Sequence, residues 1–393
     1  MKRASLTLIC LSLLLSACAQ PQQQESVDDY TIELQPGELG LVPLPNGEPW
    51  PDFSIGWPIR DELLRSTDNS LTYLSKPSAK GYFPYGTITH QRMVDSLERF
   101  RELLLTSASA DDFMTSLKSE FEVWVARGKS NSGDVLFTGY GTPIYKGSKK
   151  RTAHFRYPLY SLPADLEKGK KGEILGRKDA SGRMVPYYTH EELLRNGHLD
   201  GLELVYLANA FDVYTAQVQG SAMIELPDGT QLEIGYAGKN GHEYKSVGGV
   251  LIEEGKIRKS ELSLSKLRQY FRDNPSEVDR VLPKNPSFVF FKESPGGPYG
   301  CLGQPVTTMR SVATDKDVFP RAGLLYIEVR LPDFTAAGSM VQRPRRFFAY
   351  DQDRGGAIRS AGRCDIWMGL GKDAMQRAGH VLARGRMYYL FLK

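Results

Sequence analysis

The sequence has few of the residues that build metal centres and disulfide frameworks. It contains four cysteines and six histidines in 393 residues, and no two histidines stand four positions apart beside an acid, as a zinc-binding helix would require. We therefore expect neither a metal nor another cofactor. Positive residues exceed negative ones by only four, so no excess of charge favours a nucleic-acid partner.

Long apolar runs are also scarce, and one lies near the start of the chain. Lys2 and Arg3 precede a mostly apolar stretch over residues 6–15, which is too short to span a membrane comfortably and is typical of a secretory signal. The sequence LSAC at positions 15–18 resembles the lipobox of bacterial lipoproteins, in which the cysteine becomes the first residue and carries acyl chains. A plain cleaved signal is the alternative.

The resemblance to a lipobox implies a signal peptide over residues 1–17, an acylated Cys18 and a flexible tether, which together with Cys18 covers residues 18–40. Several acyl chains anchor a protein stably where one would not. Ala19 follows the cysteine rather than an aspartate, which implies an anchor in outer-membrane lipid, facing the periplasm of a Gram-negative bacterium. Loss of the signal removes two positive charges and no negative one, so the net charge falls from +4 to +2.

Cys301 and Cys364 are the two cysteines that follow the lipobox. In an oxidising compartment they could form a disulfide bond, which would brace the C-terminal part of the chain. Two buried free thiols are the alternative. The sequence leaves both possibilities open.

Periodicity divides the chain, which is long enough for two domains, into a helical first part and a β-rich remainder. Apolar residues at helical spacing predict helices over residues 61–74, 89–106, 111–126, 260–271 and 275–282. Alternation and apolar runs predict strands in residues 134–145, 202–238 and 285–291, and again after Gly296. Many short strands with glycine and proline turns favour barrels over a parallel sheet.

Three local features of the β-rich part carry specific expectations. Residues 139–141 read Gly-Tyr-Gly and predict a turn after a buried strand. Asp228-Gly229 predicts a hairpin turn. Uninterrupted alternation across residues 217–221 would place Gln217, Gln219 and Ser221 on one face of a strand.

The stretch over residues 347–371 concentrates the chemistry of the sequence. The apolar run over residues 347–350 predicts a buried strand that delivers Asp351 and Asp353 to a turn, where Gly355-Gly356 lets the backbone bend or approach a ligand closely. We expect Asp351 to lie at the surface. The alternative for Asp353 is a solvated carboxylate without a role in catalysis.

Asp365 lies between Cys364 and the bulky pair Ile366-Trp367 on a second short strand. A lone carboxyl group against an indole and a branched alkyl chain is poorly solvated, which disfavours its charged form and raises its pKa. A general acid that works near neutral pH needs such a pKa. The alternative is that Asp365 only caps a turn.

Several long motifs, in their order along the chain, resemble those of the membrane-bound lytic murein transglycosylase A family with its C-terminal 3D domain. The matching segments are FTGYGTPIY (137–145), VQGSAMIELPDGT (218–230), YAGKNGHEYKSVGGVLIEEG (236–255), NPSFVFF (285–291) and the block from Asp353 to Gly369. The first 130 residues and the loop near residues 335–345 contribute little. The resemblance therefore covers most of the chain through motifs that are specific in combination.

The resemblance implies a mainly β fold with N-terminal helices. A double-psi β-barrel would be assembled from residues 41–143 and 294–393, and a second β-barrel over residues 144–293 would be inserted into it. The groove between the two barrels would hold a peptidoglycan glycan strand. Murein synthases or scaffold proteins are further possible partners.

The family's chemistry, carried over residue by residue, assigns the catalytic aspartate to Asp365 and a supporting aspartate to Asp353. It implies non-hydrolytic cleavage of the β-1,4 bond between N-acetylmuramic acid and N-acetylglucosamine, in exo or endo fashion, with a 1,6-anhydro ring on the product. One carboxyl group suffices as acid and then base because the nucleophile belongs to the substrate. Such cleavage serves cell-wall turnover.

Contacts to the glycan are expected from the remaining motif positions, and we list as candidates Thr138, Tyr140, Gln219, Gly220, Ser221, Tyr236, Asn240, Ser311, Gly355 and Gly356. Gln219 and Ser221 could instead bond to the backbone of a barrel. One departure from the family is Gly141, where a second aromatic residue is usual, so a stacking contact there is in doubt.

Two other functions remain open at this point. A glycoside hydrolase on the same fold would use Asp353 and Asp365 as a pair of carboxyl groups. A lipid-anchored protein that binds murein without cleaving it is the non-enzymatic alternative. The products released from murein would distinguish the three functions.

Overall fold

The computed structural model describes residues 30–35, 37–169 and 173–393, so the predicted signal, Cys18 and most of the tether lie outside the described residues. The α-helices in that part of the chain are α1 (Arg60–Leu74), α2 (His90–Thr106), α3 (Ala110–Glu120), α4 (His190–Arg195), α5 (Ala210–Gln219), α6 (Val247–Glu253), α7 (Leu264–Asp273), α8 (Val278–Val281) and α9 (Gly371–Ala378). The strands are β1 (Leu41–Pro43), β2 (Phe121–Ala126), β3 (Val135–Thr142), β4 (Ile144–Ser148), β5 (Tyr157–Tyr160), β6 (Glu167–Lys168), β7 (Ile174–Lys178), β8 (Met184–Val185), β9 (Glu203–Leu207), β10 (Ser221–Glu225), β11 (Gln231–Lys239), β12 (Val289–Glu293), β13 (Ser311–Ala313), β14 (Leu324–Phe334), β15 (Met340–Asp353), β16 (Arg363–Leu370) and β17 (Leu382–Leu392).

The N-terminal helices α1 and α2 form where the apolar periodicity predicted them. The hydroxyl of Thr89 accepts a hydrogen bond from the Arg92 amide and so caps the start of α2. Met93, Leu97 and Phe100 follow at helical spacing and are fully buried. This apolar stripe packs α2 against β17, while α1 packs against β15. The helices therefore cover one side of the sheet that carries the C-terminal residues.

The helix predicted over residues 111–126 is wrong in its second half. Helix α3 ends at Glu120, and the chain continues as β2, which pairs with β1 and β17. Phe121, Val123 and Val125 alternate with polar or partly exposed residues and are buried. Alternation with period two and the β-branched valines prevailed here over the helical spacing.

Strand β3 and the five strands from β13 to β17 form a closed barrel, which we call the first barrel. The sheet order is β17, β14, β15, β13, β16 and β3, and β3 pairs again with β17, which closes a ring of six strands. The β13–β15 and β16–β3 pairs are parallel and the other pairs in the ring are antiparallel. Tyr326, Phe348, Tyr350, Ile366 and Tyr389 fill the core. This mainly β architecture, preceded by helices, agrees with the fold that the family resemblance implies.

The middle of the chain forms a second sheet in the order β12, β11, β10, β4, β9 and β5. A bridge between Ser161, next to β5, and Phe291 on β12 joins the two ends of this sheet, which we call the second barrel. The hairpin turn at Asp228-Gly229 connects β10 and β11 as predicted, and the Asp228 carboxylate accepts a hydrogen bond from the Thr230 amide. Strands β6, β7 and β8 form a separate small sheet.

Residues 210–219 form α5, where alternation predicted a strand. The Asn209 side chain caps the helix, and Phe211, Tyr214 and Thr215 lie at helical spacing on its buried side. A left-handed Gly220, with φ of 75°, ends the helix. The predicted common strand face for Gln217, Gln219 and Ser221 is therefore wrong, because only Ser221 belongs to a strand.

Candidate functional site

The candidate acid Asp365 lies on β16, and its neighbours along that strand alternate between two environments. Cys364 and Ile366 are fully buried in the barrel core. Arg363, Asp365 and Trp367 occupy the alternate positions and so face the other side of the sheet. The sequence predicted that the side chains of Trp367 and Ile366 shield Asp365 from solvent. This is right for Trp367, which shares the face of Asp365, and wrong for Ile366, which points to the opposite face.

Two neighbouring strands complete this face. Asp365 pairs with Thr138 on β3, and Trp367 pairs with Tyr140. On the other side, Ala313 of β13 pairs with Asp365 and also with Asp353 of β15. The two aspartates therefore stand two strand spacings apart, which corresponds to about 10 Å between their Cα atoms.

The environment of Asp365 favours a neutral carboxyl group. Desolvation by burial raises its pKa to about 7, and the charge of Asp353 adds to that rise, while the charge of Arg363 and the hydroxyl of Thr138 act in the opposite direction. Its Oδ1 is buried and has no hydrogen-bond partner within the described residues. The side chain as a whole stays partly exposed. The pKa rise expected from the sequence is thus confirmed, and a protonated acid near neutral pH is available there.

Asp353 is held by three hydrogen bonds. The hydroxyl of Tyr140 donates to Oδ2 at 2.7 Å, and the amides of Cys301 and Arg354 donate to Oδ1 at 2.8 Å each. Burial raises the pKa of Asp353 above its ordinary value, and these donors offset part of that rise. Because three donors favour the ionised form, Asp353 is the carboxyl group of the two that ionises more readily.

The face that carries these groups adjoins the second barrel. The Gly-Tyr-Gly segment is extended within β3 and does not form the predicted turn. The amide of Gly141 donates to Oε1 of Gln219 at 2.9 Å, and the hydroxyls of Thr142 and Ser221 lie 2.8 Å apart. Gln219 and Ser221 therefore fasten the two barrels together next to Tyr140.

The absence of an aromatic side chain at position 141 has a steric reason. A Cβ atom on Gly141 would lie 3.0 Å from the carbonyl oxygen of Gly369 and 3.3 Å from the sulfur of Met375. Helix α9, which carries Met375, packs against β3 at this point. A larger residue would require β3 and α9 to separate.

Two residues predicted to contact the glycan are buried by other partners. Ser311 is fully buried, and its hydroxyl donates to Oε1 of Gln352 at 2.6 Å. Asn240 is 1% exposed, and its amide group bonds to the backbone of Tyr188, Pro286 and Phe288. Their polar groups are used within the fold, so the structure contradicts both predictions.

The remaining candidates have exposed surface. Tyr236, on β11 of the second barrel, is 51% exposed, and Thr138 and Tyr140 are partly exposed. Gly356 is exposed with open space around it, whereas a Cβ atom on Gly355 would lie 2.5 Å from the side chain of Ile358. These positions are compatible with contacts to a bound molecule. Gly220 acts in the structure as the end of α5.

The prediction that Asp351 lies at the surface is wrong. Asp351 is fully buried and forms an ion pair with Lys316, which is also buried. The hydroxyl of Thr314 donates to both of its oxygens, and the hydroxyl of Tyr389 donates at 2.9 Å. Sequence reasoning missed this network, because its only local signal is a lysine near a buried strand.

The two cysteines are free thiols in the structure. Cys364 is buried in the barrel core, and Cys301 is exposed next to Asp353. Of the two possibilities that the sequence left open, the disulfide is therefore not formed, and the alternative of two buried thiols holds only for Cys364. The Cys301 amide, which binds Asp353, could not have been found by side-chain motifs.

Two cavities lie away from the carboxyl groups, and features of a metal site or a membrane span are missing from the described residues. A cavity of about 110 Å³ between α4, α5 and β5 and another of about 140 Å³ beside Tyr30 both lie apart from Asp365. Over residues 30–35, 37–169 and 173–393, no three histidine, cysteine or acidic side chains are grouped as metal ligands would be. None of the described helices has the length and apolar character that crossing a membrane demands.

Taken together, the fold and the site define a two-barrel protein in which two carboxyl groups with different environments share one face of the first barrel. A family profile described as the MltA specific insert domain matches residues 136–292, and one described as the 3D domain matches residues 310–391. The membrane-bound lytic murein transglycosylase A of Escherichia coli K12 is 34% identical over 272 residues, which cover 68% of this chain and 69% of the relative. The chain belongs to the membrane-bound lytic murein transglycosylase A family.

Solved structures agree with this assignment. A membrane-bound lytic murein transglycosylase from Agrobacterium tumefaciens superposes with a TM-score of 0.71 at 25% identity and covers 90% of this chain and 98% of that one. Escherichia coli MltA with bound chitohexaose gives a TM-score of 0.66 at 27% identity, over 93% of this chain and 97% of that one. The relative from Vibrio cholerae is 34% identical over 68% of each chain.

Proposed function

We propose that this protein is a peptidoglycan lytic transglycosylase, which cleaves the β-1,4 bond between N-acetylmuramic acid and N-acetylglucosamine without water. The observation that carries the proposal is the carboxyl group of Asp365, whose pKa is raised to about 7 by burial and which stays partly exposed beside the second barrel. Membership of the lytic murein transglycosylase A family and the likeness to a relative that binds chitohexaose support it.

Neutral Asp365 donates its proton to the bridging oxygen while the bond from that oxygen to C1 of the muramoyl residue breaks. Positive charge builds on the muramoyl ring, and the leaving N-acetylglucosamine departs as an alcohol. The C6 hydroxyl of the muramoyl residue then bonds to C1 and gives its proton to the Asp365 carboxylate. The acid is thereby restored, and the product carries a 1,6-anhydro ring.

Asp353 supports this cycle without touching the reacting atoms. Its negative charge raises the pKa of Asp365 and keeps that acid protonated. Its hydrogen bond from Tyr140 ties the end of β15 to β3, the strand that pairs with β16. Arg363 has the opposite effect, because its charge stabilises the Asp365 carboxylate between the two proton transfers.

Mass spectrometry of digested murein sacculi tests the proposal. The wild-type protein is expected to release muropeptides with anhydro ends, and Asp365→Asn to lose about 10²–10⁴-fold in turnover, because general acid–base assistance contributes that much. Reducing ends with added water would instead indicate a hydrolase that uses Asp353 and Asp365 together. Binding of sacculi without any release would indicate a murein-binding protein.

We further propose that acylated Cys18 anchors the protein in the outer membrane, facing the periplasm. The lipobox sequence at residues 15–18 supports this proposal, and the relatives are named membrane-bound. Membrane fractionation tests it: Cys18→Ser is expected to move the protein from the outer-membrane fraction into the soluble periplasm. Retention in the membrane would contradict a lipid anchor at Cys18.

A further inference from the structure

Three basic side chains, one from the second barrel and two from the first, are close enough for their charges to interact. Lys239 lies at the end of β11 in the second barrel, and Arg354 and Arg359 lie between β15 and β16 of the first. The charges of both arginines act on the ammonium group of Lys239. We call Lys239, Arg354 and Arg359 the basic cluster.

The ammonium group of Lys239 has no anion of its own. Lys239 is partly buried, and its Nζ makes no hydrogen bond or ion pair in the part of the chain that the structure describes. Burial lowers the pKa of Lys239 first, and repulsion by Arg359 and Arg354 lowers it further, against a weaker attraction from Glu243. A half-desolvated cation between like charges costs free energy that the fold does not recover locally.

The two arginines share the acids nearby. Arg354 pairs with Asp317 at 2.9 Å, and Arg359 lies 4.0 Å from both Asp317 and Asp315. Two carboxylates thus stand opposite two guanidinium groups, and neither of them forms an ion pair with Lys239 in the part of the chain that the structure describes. The side chain of Asp317 is 69% exposed, so its neutralising effect is screened by water.

The basic cluster is contiguous with the proposed catalytic groups. The amide of Arg354 donates to the Asp353 carboxylate at 2.8 Å. On β11 of the second barrel, Tyr236 lies three residues before Lys239 and is 51% exposed. It is close enough to Arg354 for the arginine charge to act on its hydroxyl group. A glycan that reaches Asp365 and Tyr236 would therefore carry its substituents past these cations.

We propose that the basic cluster binds a carboxylate that projects from the muramoyl residue of the substrate. This inference rests on the proposed function and names a substrate group for the same site. Two groups have that chemistry: the free lactyl carboxylate of a peptide-free muramoyl residue, and the carboxylates of a stem peptide. Binding by Lys239 from one barrel and by the arginines from the other would make recognition depend on both barrels.

The test measures binding in the Asp365→Asn background, so that no ligand is cleaved. The ligands are chitohexaose, which has no carboxylate, peptide-free glycan strands with lactyl carboxylates, and strands with stem peptides. Lys239→Gln and Arg359→Gln remove charges of the basic cluster. Lys256→Gln is the matched control, because Lys256 is exposed after α6 and the charge it acts on is that of Glu277.

Each cluster variant is expected to weaken binding of the carboxylate-bearing strands about 3- to 10-fold at low salt, as partly exposed ion pairs do. Chitohexaose binding should not change, nor should any binding by the control. Weakening on the peptide-free strands alone identifies the lactyl carboxylate, and weakening on the peptide-bearing strands alone identifies the stem peptide. Weakening on both kinds of strand shows that the basic cluster binds either carboxylate. The midpoint of thermal unfolding should stay equal or rise, because repulsion is relieved.

Unchanged binding of all three ligands, or an equal loss on chitohexaose, would overturn the inference. A variant that loses binding only because its fold is damaged would show a lower unfolding midpoint and an equal loss on chitohexaose. Release of anhydro products from sacculi by the wild type is measured separately. The proposed function can therefore be disproved while the preference for carboxylate-bearing strands is confirmed, and that preference can be disproved while the proposed function is confirmed.

Discussion

Asp365 and Asp353 are carboxyl groups on the same face of one barrel, yet their environments differ in a way that assigns their charges. Asp353 accepts three hydrogen bonds, whereas Oδ1 of Asp365 is buried without a partner within the described residues. Donors stabilise the ionised form and desolvation destabilises it. One group is therefore suited to hold charge and the other to hold a proton, which is the division that a single-acid mechanism requires.

The pH dependence of cleavage should report the pKa of Asp365. Because the acid must start protonated, kcat/KM is expected to fall as the pH rises through about 7, the value to which burial raises this pKa. In Asp353→Asn the like charge is lost, so the alkaline limb should move to lower pH by a few tenths to about one pH unit. Initial rates on soluble muropeptide chains between pH 4 and 9 check both. An alkaline limb that stays in place in Asp353→Asn would remove that charge from the mechanism.

The same carboxyl group should make stability depend on pH. The folded pKa of Asp365 lies above its unfolded value of 3.8, so its contribution is fully present below pH 3.8 and is lost as the pH rises through about 7. Asp365→Asn removes a group that must ionise in a poorly solvated place. We expect the variant to be more stable than wild type at pH 8, by roughly 1–4 kcal/mol.

Urea unfolding at pH 4 and pH 8 measures this difference. The gain in Asp365→Asn should be much smaller at pH 4, where the folded wild type holds the proton and the unfolded chain, with its pKa of 3.8, is only partly ionised. An equal effect at the two pH values would show that Asp365 does not titrate in the expected range. Trp367→Leu is a useful companion, since greater solvation of Asp365 should reduce the pH dependence without removing the carboxyl group.

At the scale of elements, a buried ion pair links three strands of the first barrel. Asp351 on β15 binds Lys316, which follows β13, and the hydroxyl of Tyr389 on β17. Lys316→Met leaves a buried carboxylate without its cation, so we expect a loss of about 3–5 kcal/mol in the free energy of unfolding. Denaturant unfolding at neutral pH measures it.

The double variant Lys316→Met, Asp351→Leu serves as the control for that prediction. Replacement of both partners by apolar side chains removes the uncompensated charge and should recover much of the loss. If the single and double variants were equally destabilised, the effect would lie in packing and not in charge. Since neither side chain has exposed surface, a direct role in substrate binding would not explain either result.

Local sequence patterns determined the elements that depend on local contacts. Helices α1 and α2 and the hairpin at Asp228-Gly229 form as predicted. Helix α5 escaped prediction because its aromatic and β-branched residues favour strands, and its burial between β3, β5 and β10 overrode that preference. The partners of α5 are distant in sequence, so no window of the chain contained the deciding contacts.

The candidate site shows the same contrast between features set by neighbours in the sequence and features set by distant partners. The raised pKa of Asp365 was predictable because Trp367 is two residues away on the same strand. Burial of Asp351 was not, because its cation lies 35 positions earlier in the chain. Nor could the sequence show that the polar groups of Asn240 and Ser311 form hydrogen bonds within the fold. Such pairings depend on strand order, which only the three-dimensional structure reveals.

At the scale of the whole molecule, the chain passes from the first barrel to the second and back again at two points that lie close together. Ile144 of β4 pairs with Met223, Met223 with Glu233, and Ile234, next in line, with Glu293 of β12. The two crossing points are thus separated by three strand spacings, at most about 14 Å. All six strands of the first barrel lie outside the segment between them.

This geometry predicts that the second barrel can be removed without loss of the first. Replacement of residues 145–292 by about eight glycine and serine residues spans the gap, because an extended residue covers roughly 3.3–3.6 Å. The shortened chain loses the hydrogen bonds to Gly141, Thr142 and Gly297, each worth about 0.5–1.5 kcal/mol. It should still unfold cooperatively, at a lower midpoint, and should neither bind chitohexaose nor release muropeptides, because one wall of the groove is gone. Scanning calorimetry and the sacculus assay check the two halves of this prediction.

Two results would contradict it. A shortened chain that unfolds without cooperativity would show that the first barrel needs the second barrel to fold. A folded chain that still cleaves would place the whole glycan site on the first barrel.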